Sequence, residues 1–162
     1  MVWIVMGVSG SGKTTVGKQL AARLKLPFHD ADDFHPPSNV EKMSSGQPLN
    51  DEDRKPWLLT LANNIQDWNS KKGAVLACSS LKQSYRDLLK SKSSDVHFIY
   101  LKGSKKVIIN RMKKREGHYM PPELLDSQFE ALEDPAKAVV VPIHQSPKEI
   151  VNEILKSMKD IE

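Results

Sequence analysis

Hydrophobic and polar positions along this chain fall into blocks whose period switches repeatedly. Val2-Trp3-Ile4-Val5-Met6 is an unbroken apolar run, as a strand buried on both faces requires. Beyond it Val16, Leu20 and Leu24 recur at every fourth residue, which is helical spacing. Leu26 to His29 predicts a short second strand running into Asp30-Ala31-Asp32-Asp33. Pro36-Pro37 breaks the chain, and Ser38 is placed to cap a short helix over Val40 to Ser45, closed by Gly46. Asn50 followed by Asp53 resembles a capping box and predicts a helix from Asp51 to Trp68, with Trp57, Leu58, Leu61, Ile65 and Trp68 on one face. Lys72-Gly73 turns into a third strand, Ala74 to Cys78. Leu81, Tyr85, Leu88 and Leu89 mark the next helix, Val96 to Leu101 the fourth strand, and Val107, Ile108 and Met112 the helix after it. Arg115 to Pro122, with Gly117 and two prolines, reads as a loop. Leu124, Leu125, Phe129 and Leu132 lie on a further helix, Ala138 to Val141 form a fifth strand, and Ile150, Val151, Ile154, Leu155 and Met158 line a closing helix.

Strands alternating with helices predict an α/β fold with a five-stranded parallel sheet and right-handed crossovers. Ligands then collect at the carboxyl ends of the strands. At 162 residues the expectation is one domain spanning 1–162. The net charge of +4 suits anionic ligands and is too mild to imply nucleic acid. Cys78 is the one cysteine, which excludes an internal disulfide and favours a reducing compartment. No apolar run approaches the ~18 residues that span a bilayer. The first apolar run has no charged region before it and leads straight into a glycine-rich loop, so it reads as a strand and not a signal peptide. A cytoplasmic enzyme with no membrane partner is the expectation.

That loop, Gly7-Val8-Ser9-Gly10-Ser11-Gly12-Lys13-Thr14, fits G-x-x-x-x-G-K-[ST]. Glycines let consecutive backbone N–H groups approach phosphate oxygens that a Cβ would hold away. Lys13 then reaches the outer phosphates and the Thr14 hydroxyl is a ligand for Mg²⁺. Strand before and helix after aim the positive end of a helix dipole at the phosphates, the context that separates this loop from a chance glycine-rich turn. Gly7 to Thr14, with Thr15, are the expected nucleotide-binding positions.

Residues beyond the loop narrow the chemistry. A D-x-x-G after the third strand and an N-K-x-D are both missing, so a GTPase switch does not fit. The third and fourth strands end in Cys78-Ser79-Ser80 and Lys102-Gly103, without the acid that motor-type ATPases use for Mg²⁺. Asp30 and Asp32 are the replacements. At i and i+2 on a strand they would share a face, one ordering the metal and the other taking a proton from an attacking hydroxyl. The competing reading is a solvated acidic turn. Arg54 sits in the first turn of a helix, where its charge opposes the dipole; it is there for an anionic substrate or is simply exposed. Arg86 poses the same question more weakly. The cation-rich stretch Arg111 to Pro121 reads as a mobile lid, about residues 111–122, bringing an arginine to the transferring group. The alternatives are favourable charge at a helix C-terminus or a nucleic-acid patch, the latter without an aromatic platform. His118 is a ligand contact or a plain loop residue.

Taken together, several blocks resemble the gluconate kinase (gluconokinase) family: Gly7–Thr14, Asp30-Ala31-Asp32, His35-Pro36, Pro48-Leu49-Asn50-Asp51 with Asp53-Arg54-Lys55-Pro56-Trp57, Cys78-Ser79, Leu81-Lys82, Tyr85-Arg86-Asp87, Gly117-His118-Tyr119-Met120-Pro121 and Ser127-Gln128-Phe129-Glu130. The resemblance runs nearly the full chain in order and spacing. It implies ATP- and Mg²⁺-dependent phosphorylation of D-gluconate at its 6-hydroxyl, in a P-loop fold like that of nucleoside monophosphate kinases and shikimate kinase, with a mobile lid and a homodimer. It also implies roles. Lys13 and Thr14 serve phosphate and Mg²⁺, with Asp30 beside the metal. Asp32 is the hydroxyl-activating acid. His35, Arg54, Lys82, Arg86 and His118 surround the sugar acid, while Arg111 and Arg115 act from the lid. One departure lies after Val141, where many members carry an acid and this chain has Pro142-Ile143-His144. Other small-molecule kinases of the same fold, or a non-catalytic ATP-binding regulator, are the alternative readings.

Overall fold

A computed structural model describes residues 1–114 and 122–159. Its strands are β1 (Val2–Met6), β2 (Phe28–Asp30), β3 (Ala74–Ala77), β4 (Val96–Lys102) and β5 (Val139–Pro142). They form one sheet in the order β2-β3-β1-β4-β5, and every pairing is parallel. The helices are α1 (Lys13–Leu24), α2 (Pro37–Ser44), α3 (Asp51–Asn69), α4 (Gln83–Leu89), α5 (Lys105–Lys114), α6 (Pro122–Ala131) and α7 (Pro147–Met158).

The central strand explains the layering. Successive side chains of a strand face opposite ways. Trp3 and Val5 enter a core with Val16 and Leu20 of α1, Ile108 of α5 and Ile150 and Ile154 of α7. Val2, Ile4 and Met6 enter the other, with Leu58, Leu61 and Ile65 of α3 and Tyr85 and Leu89 of α4. The result is helix, sheet, helix, the expected three-layer P-loop arrangement. Each of these fully buried aliphatic side chains contributes about 1.5–3 kcal/mol by leaving water. Among the described residues, no helix is long and apolar enough to cross a membrane.

The capping box forms as expected. Asn50 Oδ1 accepts the Asp53 N–H at 2.8 Å, and Asp53 Oδ2 accepts the Asn50 N–H at 2.9 Å. Two boundaries differ with consequences. The short helix begins at Pro37 with Pro36 as its cap, three residues before the expected start at Val40 capped by Ser38, because the fixed φ of proline suits a first helical position. The second strand stops at Asp30, and Ala31–Phe34 forms a 3-10 turn capped by the Asp30 side chain. Asp30 and Asp32 therefore do not share the face of a strand. β3 ends at Ala77, one residue short of the expected Cys78, and β5 is shifted one residue along from the expected Ala138–Val141. Arg115 to Pro121, most of the expected lid, lie outside the described residues.

Candidate active site

The phosphate loop joins β1 to α1 at the carboxyl edge of the sheet. Gly12, the N-cap of α1, has φ 95°, a left-handed conformation that side chains disfavour. Gly10 has φ 83°, and a Cβ there would meet Met112 Cγ at 3.0 Å and Ile108 Cγ2 at 3.1 Å on α5. Glycine is thus required at Gly10 by both its backbone and its neighbour. Lys13 Nζ donates to the carbonyls of Gly7 and Val8 at 3.1 Å each. Burial pushes the Lys13 pKa down, with the charges of Asp32 and Asp30 among those opposing it. These residues line a cavity of about 530 Å³ whose walls include Ser9, Lys13, Thr14, Asp30, Asp32 and Gln128.

Asp30 is the joint of the site. Its Oδ2 accepts from the Thr14 hydroxyl at 3.4 Å and its Oδ1 from the Asp32 N–H at 3.0 Å. One carboxylate thereby ties the start of α1 to the turn that carries Asp32. A hydroxyl and a carboxylate oxygen side by side form a hard-oxygen pair of the kind Mg²⁺ takes alongside substrate phosphates and water. The turn is held from behind by Trp57 of α3, whose Nε1 donates to the Ala31 carbonyl at 2.7 Å. The Asp32 side chain is 85% exposed and projects into the cleft. Crowding by the cleft walls, then the Asp30 charge, raise its pKa above the usual carboxylate value.

A second cavity, of about 550 Å³, adjoins the first and shares Asp32, Met43, Trp57 and Ser79 with it. Its further walls are His35, Arg54 and the stretch Gly46-Gln47-Pro48-Leu49. Each cavity has the size of a small-molecule site. His35 is stacked on Trp57 at 4.2 Å between ring centroids, and its Nε2 lies 3.8 Å from Asp32 Oδ1. Burial lowers the His35 pKa, the Asp32 charge opposes this and Arg54 adds to it, and the net fall favours the neutral imidazole. Arg54 Nη1 donates to the Tyr85 hydroxyl at 3.2 Å and lies 3.7 Å from Asp51. Tyr85 in turn donates to Asp51 at 2.5 Å, which holds that carboxyl below its usual range. Lys82 Nζ reaches Asp51 at 3.4 Å.

The structure thus brings together Gly7 to Thr14, Asp30, Asp32, His35 and Arg54, while Lys82 lines neither cavity and shares Asp51 with Arg54. Thr15 also borders the phosphate cavity. Arg111 Nη1 donates to the Ser11 carbonyl at 3.1 Å, which ties α5 to the phosphate loop. Arg86 is placed differently. It is 2% exposed, and its guanidinium donates to the carbonyls of Ser80, Leu81 and Glu133 and to Gln83 Oε1. In the structure it holds the loop after β3 instead of facing either cavity. Arg115 and His118 lie outside the described residues.

The family model described as shikimate kinase matches residues 9–159. The thermosensitive gluconokinase of Escherichia coli (strain K12) is 51% identical over 134 residues, 82% of this chain and 72% of that protein. The chain belongs to the gluconokinase family. The thermoresistant gluconokinase of the same organism is 43% identical over 165 residues, covering 98% of this chain and 93% of that protein. The crystal structure of a gluconokinase from Sinorhizobium meliloti 1021 superposes with a TM-score of 0.90 at 43% identity, over 99% of this chain and 92% of that one. Within this gluconokinase fold, three residues gain roles that their place in the sequence did not suggest. Trp57, which the helical pattern marks only as core, anchors the turn of Asp32. Asp51 orients Arg54 through Tyr85. Met43 borders both cavities. Trp57 and Asp51 carried a signal, since both fall within the Asn50 to Trp57 block.

Proposed function

We propose that this chain transfers the γ-phosphoryl group of ATP to the 6-hydroxyl of D-gluconate, with Mg²⁺ at Thr14 and Asp30. The observation that carries the reading is the meeting of two cavities at Asp32, one walled by the phosphate loop and the other by Arg54. A sugar acid offers a carboxylate and several hydroxyls. The second cavity answers with a cation, a neutral imidazole and an acid, and Trp57, the aromatic on its wall, is already stacked on His35.

In the transfer, the substrate oxygen forms its bond to the γ-phosphorus as the bond to the bridging oxygen breaks and ADP leaves. Asp32 takes the proton of the hydroxyl and must therefore be ionised beforehand. Lys13 and the loop N–H groups meet charge building on the phosphate oxygens. Mg²⁺, when bound, neutralises part of that charge. Nε and Nη2 of Arg54 have no partner among the described residues, so they remain for the carboxylate, while Asp51 and Tyr85 fix Nη1. Lys82 adds positive potential, and Arg111 keeps the loop in place. Arg115 and His118 are proposed for the nucleotide phosphates and the sugar acid, respectively. A cytoplasmic homodimer completes the proposal.

The test is ADP release from Mg²⁺-ATP with D-gluconate beside shikimate, glucose and AMP. Stimulation by gluconate alone is the expected result. Stimulation by a different acceptor overturns the substrate, and none by any acceptor overturns the kinase. Omitting Mg²⁺ should abolish turnover.

A further inference from the structure

Gln128 of α6 grips one residue of the phosphate loop at two points. Its Oε1 accepts the Ser9 N–H at 2.7 Å, and its Nε2 donates to Ser9 Oγ at 3.0 Å. The residues are 119 apart in sequence, so the clasp is purely tertiary. A carboxamide presents an acceptor and a donor in one rigid plane, and that is what a backbone N–H beside a hydroxyl oxygen calls for. The same side chain lines the phosphate cavity.

The clasp acts from a fixed support. Glu133, just past the end of α6, donates its N–H to the Leu81 carbonyl at 2.8 Å and accepts the Gln83 N–H on Oε1 at 2.7 Å. Its carbonyl accepts from the buried Arg86 at 2.8 Å. The helix bearing Gln128 is therefore stapled to the loop after β3, whose Ser79 carbonyl receives the Gly7 N–H at 3.2 Å. From α5, Ile108 and Met112 close on Gly10, and Arg111 donates to the Ser11 carbonyl. Ser9, Gly10 and Ser11 are thus each engaged by a helix other than the one they lead into.

A ring of backbone N–H groups binds phosphate well when the groups converge before the ligand arrives. A loose glycine-rich loop loses affinity to the cost of ordering it. We propose that Gln128 is a positioning residue for ATP: its clasp on Ser9 pre-sets the phosphate loop for the triphosphate. The proposal rests on the ATP-dependent kinase reading and assigns Gln128 to the nucleotide half of the reaction alone.

Steady-state kinetics with both substrates varied, together with melting temperatures, test it on Gln128→Ala, Gln128→Glu and Ser9→Ala. For Gln128→Ala the KM for ATP should rise about three- to tenfold, the worth of one to two net hydrogen bonds, with the KM for gluconate unchanged and the melting temperature lowered by only about 2–4 °C. In Gln128→Glu the carboxylate still accepts from the Ser9 N–H and hydroxyl, so the fold is kept. Its charge beside the triphosphate should raise the KM for ATP beyond that of the alanine variant. Ser9→Ala loses one arm and should show a smaller rise that does not add to Gln128→Ala. An unchanged KM for ATP in Gln128→Ala overturns the proposal. So does a joint loss of melting temperature and of affinity for both substrates, which would mark a mere scaffold contact. If the wild-type chain shows no gluconate-dependent turnover, the kinase reading falls separately. Calorimetric titration of ATP onto wild type and Gln128→Ala then decides the role of Gln128 by the same ratio.

Discussion

The two cavities that meet at Asp32 are built in opposite ways. The phosphate side draws its ligand groups from one run of consecutive residues, Gly7 to Thr14, between a strand and a helix, and distant side chains such as Gln128 and Arg111 only hold that run in place. The acceptor side is assembled from separate segments, with His35 after the 3-10 turn, Met43 on α2, Arg54 and Trp57 on α3 and Ser79 after β3. Its geometry depends on contacts such as Trp57 to Ala31, 26 residues apart, and Tyr85 to Asp51, 34 apart. A site made of backbone tolerates any acceptor chemistry next door. A site made of converging side chains sets which acceptor is phosphorylated.

That contrast can be broken by substitution. Lys13→Ala should lower kcat about 10²- to 10³-fold with every acceptor tried, because the charge it meets is common to all. Retained activity would place the phosphate chemistry elsewhere. Asp32→Asn should lower kcat by about 10²-fold or more while ATP still binds, measured by single-turnover kinetics and nucleotide titration. Near-normal turnover would remove Asp32 as the base. Arg54→Ala should raise the KM for gluconate about 10- to 100-fold, as loss of charged hydrogen bonds does, and leave that for ATP alone. An equal change in both would mean that the halves are not separable. Trp57→Phe keeps the ring against His35 and loses the bond to Ala31. It should cost about 1–3 kcal/mol of stability by denaturant titration and lower kcat several-fold as the Asp32 turn loosens.

The smallest expected effect concerns pH. Cleft crowding and Asp30 raise the pKa of Asp32, so on acidification it takes up its proton earlier than an ordinary carboxylate. The acid limb of kcat/KM should accordingly lie above the usual aspartate range. The native state binds this proton more tightly than the unfolded chain. Its contribution therefore favours folding at low pH and is lost as pH rises through the raised pKa. Asp32→Asn should melt slightly higher than wild type at neutral pH, with the gain fading on acidification. A lower melting temperature at neutral pH would contradict the sign.

The same division governs what could be read from residues alone. Strands and helices were legible because unbroken apolar runs and period-four apolar spacing are local properties, and the Asn50 capping box because both its hydrogen bonds close within three residues. Asp30 and Asp32 were legible as a pair, but not their arrangement. Side-chain capping of the Asp32 N–H turns the chain into a 3-10 turn, and a tryptophan from another helix holds it there. Arg86 was expected at the sugar acid only because the resemblance implies it and because, like Arg54, it is a cation near the start of a helix. Its actual partners are carbonyls, one of them 47 residues away on Glu133. Trp57 was hidden by its own hydrophobicity, since an apolar helix face accounts for it without the indole N–H.

Asp53 closes the capping box of α3, and the same oxygen, Oδ2, accepts from Lys42 of α2 at 2.6 Å. The Asp53 carbonyl also receives the Asn39 amide at 2.9 Å. A helix end and the attachment of the neighbouring helix are therefore one cooperative unit. Deuterium uptake in the first turn of α3 and in α2 should rise and fall together. Replacing Asp53, a residue that lines neither cavity, would open the acceptor wall by fraying the helix end that carries Arg54.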